Sequence, residues 1–247
     1  MDLSFQLYSA RDFTPWKDVV HWLAEVGYNQ VEGFGGVYED PADFRATLDR
    51  AGLTMPSGHF SIDMLENDLA GALGIARTFG IERVYCPYIA PDARPSDSAG
   101  WTDFARRLAA VGEKVRGEGY RFGWHNHDFE FKALPDGKLP MQIILDEAPE
   151  NGWEADIAWI ARGGADPMDW ISRHGDRITA AHVKDIAPQG EKTDEDGWAD
   201  VGHGTLPWAE LMPALREAGC DLFVVEHDKP ADFQRFARQS IESIKGY

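Results

Sequence analysis

Four short patches in the second half of the chain carry the residues best suited to chemistry. They are Phe122-Gly-Trp-His125-Asn-His127, Trp153-Glu-Ala-Asp156, Ala180-Ala-His182-Val-Lys184-Asp185 and Phe223-Val-Val-Glu226-His-Asp228. Each finishes on imidazole, carboxylate or ammonium groups, and between each pair lies a stretch that reads as a helix. If the patches are parallel strands of a barrel, their polar ends meet on one rim. Divalent-metal sites are assembled from distant sequence in that way. The pattern points to an enzyme and to the place of its chemistry.

Side-chain alternation supports the same reading. Leu222, Val224, Glu226 and Asp228 share one strand face, and Phe223, Val225 and His227 the other. Helices cover the outside of a barrel, so the Phe/Val face fits the outside and Glu226 points inward. Ala180, His182 and Lys184 are in phase, as are Glu154 with Asp156, and Gly123 with His125 and His127. Singly, each residue has a plainer explanation: Asp156 as a turn cap, Glu226 as an ion-pair partner of Lys184 or an arginine, His182 as a hydrogen-bonded core histidine. Together, inward carboxylates and imidazoles on consecutive strands carry a desolvation cost that a cation offsets.

The elements needed to position these residues are legible along the whole chain. Strands are expected over Leu3–Ser9, Gln30–Phe34, Leu53–Ser61, Arg83–Ile89, Tyr120–His127, Trp153–Ile157, Ile178–Lys184 and Leu222–Glu226. Helices are expected over Thr14–Val26, Pro41–Ala51, Asn67–Phe79, Ser98–Arg116 and Met141–Ala148, then from Asp166-Pro167, from Leu206-Pro207 to Gly219, and over Pro230–Lys245. Eight strand–helix units without a linker predict a single closed (β/α)8 TIM barrel over residues 1–247. An open doubly wound sheet is disfavoured, because Gly33-Phe-Gly-Gly36 lacks the spacing of a dinucleotide fingerprint.

Composition narrows the partners. The 247 residues are 43% hydrophobic, enough for a substantial core, and carry a formal charge of −18 with no concentrated basic patch. Such a surface repels phosphate backbones, so nucleic acid is not an expected partner. Cys86 and Cys220 lie far apart in apolar strand patterns and read as buried thiols of a reducing compartment. The opening Met1-Asp-Leu-Ser-Phe-Gln shows no basic region or long apolar run, and nothing approaches a membrane span. The expectation is a cytoplasmic protein without membrane contact. With nine tryptophans, exposed aromatics would be compatible with a homodimer.

The chain resembles the xylose-isomerase-like TIM-barrel family of sugar phosphate isomerases and epimerases. The resemblance rests on Phe5-Gln-Leu-Tyr-Ser-Ala-Arg11-Asp, His125-Asn-His127-Asp-Phe-Glu130-Phe, Asp156-Ile-Ala-Trp159 with Gly163-Gly-Ala-Asp-Pro167, His182-Val-Lys-Asp185, Val201-Gly-His-Gly204 and Val225-Glu226-His-Asp228. It implies one divalent ion, manganese, magnesium, cobalt or zinc, held by Asp156, His182 and Glu226. At the first ligand position, where many relatives have glutamate, this chain has His125; either His125 replaces it or Glu130 supplies the carboxylate. The implied activity is isomerisation or epimerisation of a sugar or keto-sugar, by proton transfer at a carbon next to a carbonyl through a metal-stabilised enediolate. Glu226 would be the base, with His127, His125 or Glu130 as its partner.

That unequal pair also suits the alternative, a lyase or dehydratase that acts on a keto-inositol or 3-keto-glycoside by β-elimination. A non-catalytic sugar-binding subunit and an endonuclease-IV-like repair enzyme are weaker alternatives; the latter is opposed by the charge and the single ligand set. Glu32, His59, Lys184 and Tyr8 are the expected substrate contacts, with Trp16 as a second wall and His203 in a long loop from Asp185 to Thr205. No phosphate clamp is visible, which favours an unphosphorylated substrate.

Overall fold

The structure is a computed structural model that describes residues 2–247. Eight parallel strands close in the order β1 (Ser4–Gln6), β10 (Phe223–Val225), β7 (Ile178–Val183), β6 (Gly152–Asp156), β5 (Arg121–His125), β4 (Arg83–Cys86), β3 (Thr54–His59) and β2 (Gln30–Gly33). Two short strands, β8 (Asp185–Ile186) and β9 (Trp198–Ala199), pair antiparallel in the loop after β7. The expected (β/α)8 barrel is therefore the observed fold.

Outward-facing strand residues pack under the helices as one continuous apolar shell. Phe5, Val31, Val84, Phe122, Trp153, Ala181, Val183, Phe223 and Val225 all belong to it. Inside the barrel a separate small cluster of Tyr85, Ala180, Leu222 and Val224 fills the floor. Gly123 makes room for it: a Cβ there would lie 2.8 Å from Cε1 of Tyr85 and 2.7 Å from the carbonyl oxygen of Gly152. Above this floor the lumen turns polar, with Gln6, Glu32, Ser57, Glu154 and His182 all fully buried. Filling the lower lumen lets the upper layer do chemistry without becoming a pore.

The observed strands are shorter than the expected ones. β5 ends at His125 and β10 at Val225; the Glu226 amide still donates to the Val183 carbonyl at 3.2 Å, while His127 and Asp228 lie beyond the strand ends and lean over the mouth. Residues Leu7–Ala10 form a 3-10 turn rather than continuing the first strand, because Gln6 turns its side chain back to accept from the Tyr8 amide at 3.0 Å. The helix expected over Asn67–Phe79 is observed over Leu69–Phe79, capped by Asp68 on the Gly71 amide. A further short helix, Ile62–Asn67, capped by Ser61 on the Met64 amide, precedes it without having been expected. Among the described residues no helix is long and apolar enough to cross a membrane. Trp101, Trp124, Trp153, Trp170, Trp198 and Trp208 are buried; the exposed large hydrophobics are Tyr8 and Tyr88. Exposed tryptophans therefore give no reason to expect a dimer.

Candidate active site

Strand register sets the levels of the site. His125 stands beside Glu154, Glu154 beside Ala180, and Asp156 beside His182, which in turn neighbours Val224. All point into the lumen, so a lower and an upper layer of polar groups form.

The lower layer is a dense carboxylate–imidazole network. His59 Nε2 lies 2.7 Å from Glu154 and 3.1 Å from Glu32; His182 Nε2 lies 2.8 Å from Glu32 and 3.5 Å from Glu154. Glu32 also accepts from Gln6 at 2.8 Å and from the Ser57 hydroxyl. The His125 and His182 rings are 4.4 Å apart, and the His59 and His125 rings 5.1 Å. Burial by itself lowers the pKa of His59, but Glu32 and Glu154 outweigh it and raise it to about 10. His125 is pushed the other way by burial and by the neighbouring His182 and His59, so it is neutral. Burial and the nearby Glu32 carboxylate raise Glu154.

In the upper layer one lysine serves three carboxylates. Lys184 is fully buried, with Nζ 2.7 Å from Asp228, 3.2 Å from Glu226 and 3.5 Å from Asp156. Burial opposes its charge, but Asp228, Glu226 and Asp156 raise its pKa. Glu226 also meets His182 Nδ1 at 2.8 Å. Burial would raise the Glu226 carboxyl; Lys184 and His182 prevail and hold it well below the ordinary range, fully ionised. Asp156 has two tasks, since its Oδ1 also accepts from the Trp159 amide at 2.8 Å and caps the helix Ile157–Arg162.

Above these layers opens a cavity of about 810 Å³. His59, His125, His127, Glu226 and Asp228 form its polar base, and Tyr8, Phe34, Tyr38, Tyr88, Trp159 and Trp198 its aromatic walls. Burial first and Lys184 second lower His127 to about 3, so it is a neutral imidazole, and its Nδ1 has no hydrogen-bond partner among the described residues.

The expected site residues distribute unevenly over this geometry. His125, Asp156, His182 and Glu226 offer ligand atoms that all lie within 4.8 Å of one another. His59 and Tyr8 line the cavity, and Arg11 stacks on the Tyr8 ring at 3.8 Å. Lys184 and Glu32 do not line it; the first is enclosed by carboxylates, the second lies in the lower layer. Glu130 requires correction as a ligand or proton carrier. A 3-10 turn over Phe129–Phe131 folds it back, where it accepts from the Trp124 indole at 3.0 Å and the His127 amide at 2.9 Å, outside the cavity lining. Burial raises its carboxyl to about 8. Trp16 packs against Phe34 and Phe44 behind the wall rather than in it.

His203 is exposed; the long loop instead supplies Asp196 and Trp198. Asp185 shapes that loop by accepting from the amides of Ile186, Gly202, Gly204 and Leu206. Glu154 was in phase with Asp156 in the sequence, two residues earlier on the inward face, yet no role was expected of it. That spacing was the signal.

The donor set fits a divalent cation. A second group, His59, His125, Glu154 and His182, also gathers its ligand atoms within 4.8 Å. Two of these residues hold buried polar atoms without hydrogen-bond partners among the described residues, His125 Nδ1 and Glu154 Oε1. Buried carboxylates outnumber the fixed positive charge, which is Lys184 alone at full burial. Such an imbalance is relieved by protons on imidazole or by a metal ion.

A closed α/β barrel with a buried cluster of acids and imidazoles beneath its C-terminal rim places the chain among the TIM-barrel proteins, with a site able to hold a metal ion. The chain belongs to the xylose isomerase-like TIM barrel family, whose model matches residues 20–247. Inosose dehydratase of Salmonella agona (strain SL483) is 21% identical over 192 residues, covering 69% of this chain; the chain spans 63% of that relative's length. A sugar phosphate isomerase/epimerase of Parabacteroides distasonis superimposes with a TM-score of 0.82 at 19% identity, over 98% of this chain and 92% of that one. The IOLI protein, solved with a bound zinc atom, gives 0.78 at 15% identity, over 100% and 96% of the two chains. The relatives described by activity include isomerase/epimerase and dehydratase names, and also an AP endonuclease of family 2 from Brucella melitensis.

Proposed function

We propose that this protein is a divalent-metal-dependent isomerase or epimerase of a sugar or keto-sugar, which moves a proton at a carbon next to a carbonyl. The observation that carries the reading is the pairing of Glu226 and His127 at the base of one cavity, the first held ionised and the second held neutral. Glu226 takes the proton from the substrate carbon; Lys184 and His182 keep it deprotonated while it waits. His127, through its free Nδ1, is placed to receive or return a proton on another part of the substrate.

His125 and His182, common to both ligand groups, would hold the ion with carboxylates of one group or the other, including the Asp156 and Glu226 pair singled out in the sequence. When bound, such an ion polarises a substrate carbonyl and so acidifies the neighbouring C–H. The aromatic walls exclude water and offer faces to sugar C–H surfaces.

Dehydration is a second reading, favoured by the inosose dehydratase relative and by the inequality of the two groups. Here Glu226 removes the proton and hands it to the departing hydroxyl, which leaves as water while the neutral His127 hydrogen-bonds and orients it. One experiment separates these readings: incubation of the manganese-loaded protein with a panel of ketoses, keto-inositols and keto-glycosides in deuterium oxide. Deuterium next to the carbonyl with product of unchanged mass otherwise supports isomerisation or epimerisation. Loss of water, with growth of an enone absorbance, supports the dehydratase. Metal binding with no exchange in any substrate would leave a sugar-binding subunit and sink the enzyme reading.

A further inference from the structure

The two ligand groups share His125 and His182 but differ in depth, and only the upper one has a lysine among its carboxylates. Asp156 and Glu226, the carboxylates of the upper group, are bridged by the Lys184 ammonium, which also binds Asp228. An ion placed among them would stand against a buried positive charge. His59 and Glu154, which complete the lower group, are reached by no lysine or arginine; every ion-pair partner of Glu154 and Glu32 among the described residues is an imidazole.

We infer that the divalent ion binds in the lower layer, with His59, His125, Glu154 and His182 as ligands, and that Lys184 takes the place of a metal in the upper one. This rests on the reading that the site holds a divalent ion at all.

Several independent features agree. Glu154 Oε1 and His125 Nδ1 are buried without hydrogen-bond partners, although Glu154 is fully buried and His125 only 2% exposed. Three imidazoles converge from β3, β5 and β7, with ring centroids 4.4 to 5.6 Å apart, a spacing that crowds charge if protons hold the network together. An ion in place of the protons between His59 and Glu154 and between His182 and Glu32 relieves that crowding and releases them.

His182 is prepared for this role: with Nε2 turned to the lower layer, its Nδ1 donates to Glu226 at 2.8 Å, the carboxylate–histidine–metal arrangement that fixes a ligand's tautomer. Glu32, within 2.8 Å of His182 and bonded by Gln6 and Ser57, stays as an outer carboxylate beside the ion. His59 and His125 also line the cavity, so a substrate oxygen can approach the same ion from above. The ligand set has a functional consequence: Glu226 is not spent on the metal and remains a free base.

The test uses zinc as probe on the intact chain. X-ray absorption of the zinc-loaded wild type should show three imidazoles on the ion; two imidazoles with two carboxylates would place it in the upper group and overturn the proposal. Affinity supplies a second reading. Glu154→Gln and His59→Asn should each weaken zinc binding at least about tenfold, while Asp156→Asn changes it less than about threefold, with far-UV circular dichroism confirming the fold. The reverse order overturns the lower site but leaves the metal-dependent function standing. Wild type that takes up neither zinc nor manganese removes both.

Discussion

Replacing Lys184 by Met removes a buried ammonium and abandons its partners. The side chain is fully buried, with Asp228, Glu226 and Asp156 at 2.7, 3.2 and 3.5 Å from Nζ. Met retains most of the stem's packing, so the loss is electrostatic rather than a cavity. Breaking a buried pair from one side costs roughly 3–5 kcal/mol, because the remaining charge cannot return to water. For a chain of this size each kcal/mol lowers Tm by about 2–4 °C, so Lys184→Met should melt roughly 6–20 °C below wild type in chelator.

The deficit should depend on pH in a definite direction. Without the lysine the three carboxyls have raised folded pKa values, and a raised acid contributes stability below its unfolded pKa that is lost as pH rises. The gap to wild type should therefore widen from mildly acidic to neutral pH. Manganese should restore more stability to the variant than to wild type, since the upper carboxylates become available to it. Thermal melts by circular dichroism at several pH values, with and without manganese, measure all of this. A variant that melts within about 2 °C of wild type at every pH would refute the role given to Lys184.

Other expectations are briefer. Glu226→Gln should lower proton exchange by roughly a hundred- to ten-thousand-fold with the fold intact; activity within tenfold of wild type would assign the base elsewhere. Gly123→Ala forces a methyl to within 2.7 Å of the Gly152 carbonyl oxygen, and urea unfolding should show a loss of about 1–3 kcal/mol. Glu195, 1% exposed, accepts from Arg235 at 2.6 Å, the Ala231 amide at 2.7 Å and Lys192 at 2.9 Å; burial opposes ionisation, but these bonds lower it from 4.5 to about 2. Its folded pKa is depressed, so it contributes at most about 3 kcal/mol above the unfolded pKa, lost as pH falls toward the folded one. The difference in urea midpoint between wild type and Glu195→Gln should be constant near neutrality and shrink in acid.

Much of the fold was legible because outward strand residues such as Phe223 and Val225 keep strict alternation under the helices. The same alternation exaggerated the strands. His127 and Asp228 continue the inward phase beyond the strand ends, and a pattern of side chains does not record where backbone pairing stops. Glu130 misled for a related reason: nearness to His125 in sequence says nothing about the 3-10 turn that carries it under Trp124. The contribution of Asp196 and Trp198 was illegible, because their loop is shaped by four backbone amides converging on Asp185, a tertiary arrangement with no local pattern.

His125 in the strand-five patch, where the resemblance implied a glutamate and so left the ligand set open, has a physical consequence in the structure. A glutamate at residue 125 would add another negative charge beside Glu154 and face no lysine. A neutral imidazole there lets Glu32 and Glu154 remain buried with two further histidines and, on the proposed ligand set, one divalent ion. Meanwhile Lys184 neutralises the upper carboxylates without occupying Glu226 as a ligand would. On the proposed arrangement the barrel separates by depth two tasks that a single shared glutamate would have to combine, binding a cation below and moving a proton above. On that proposal the histidine at residue 125 and the lysine at residue 184 are parts of one arrangement: the first adds no further negative charge to the lower layer, and the second brings positive charge to the upper one, leaving Glu226 open to the cavity.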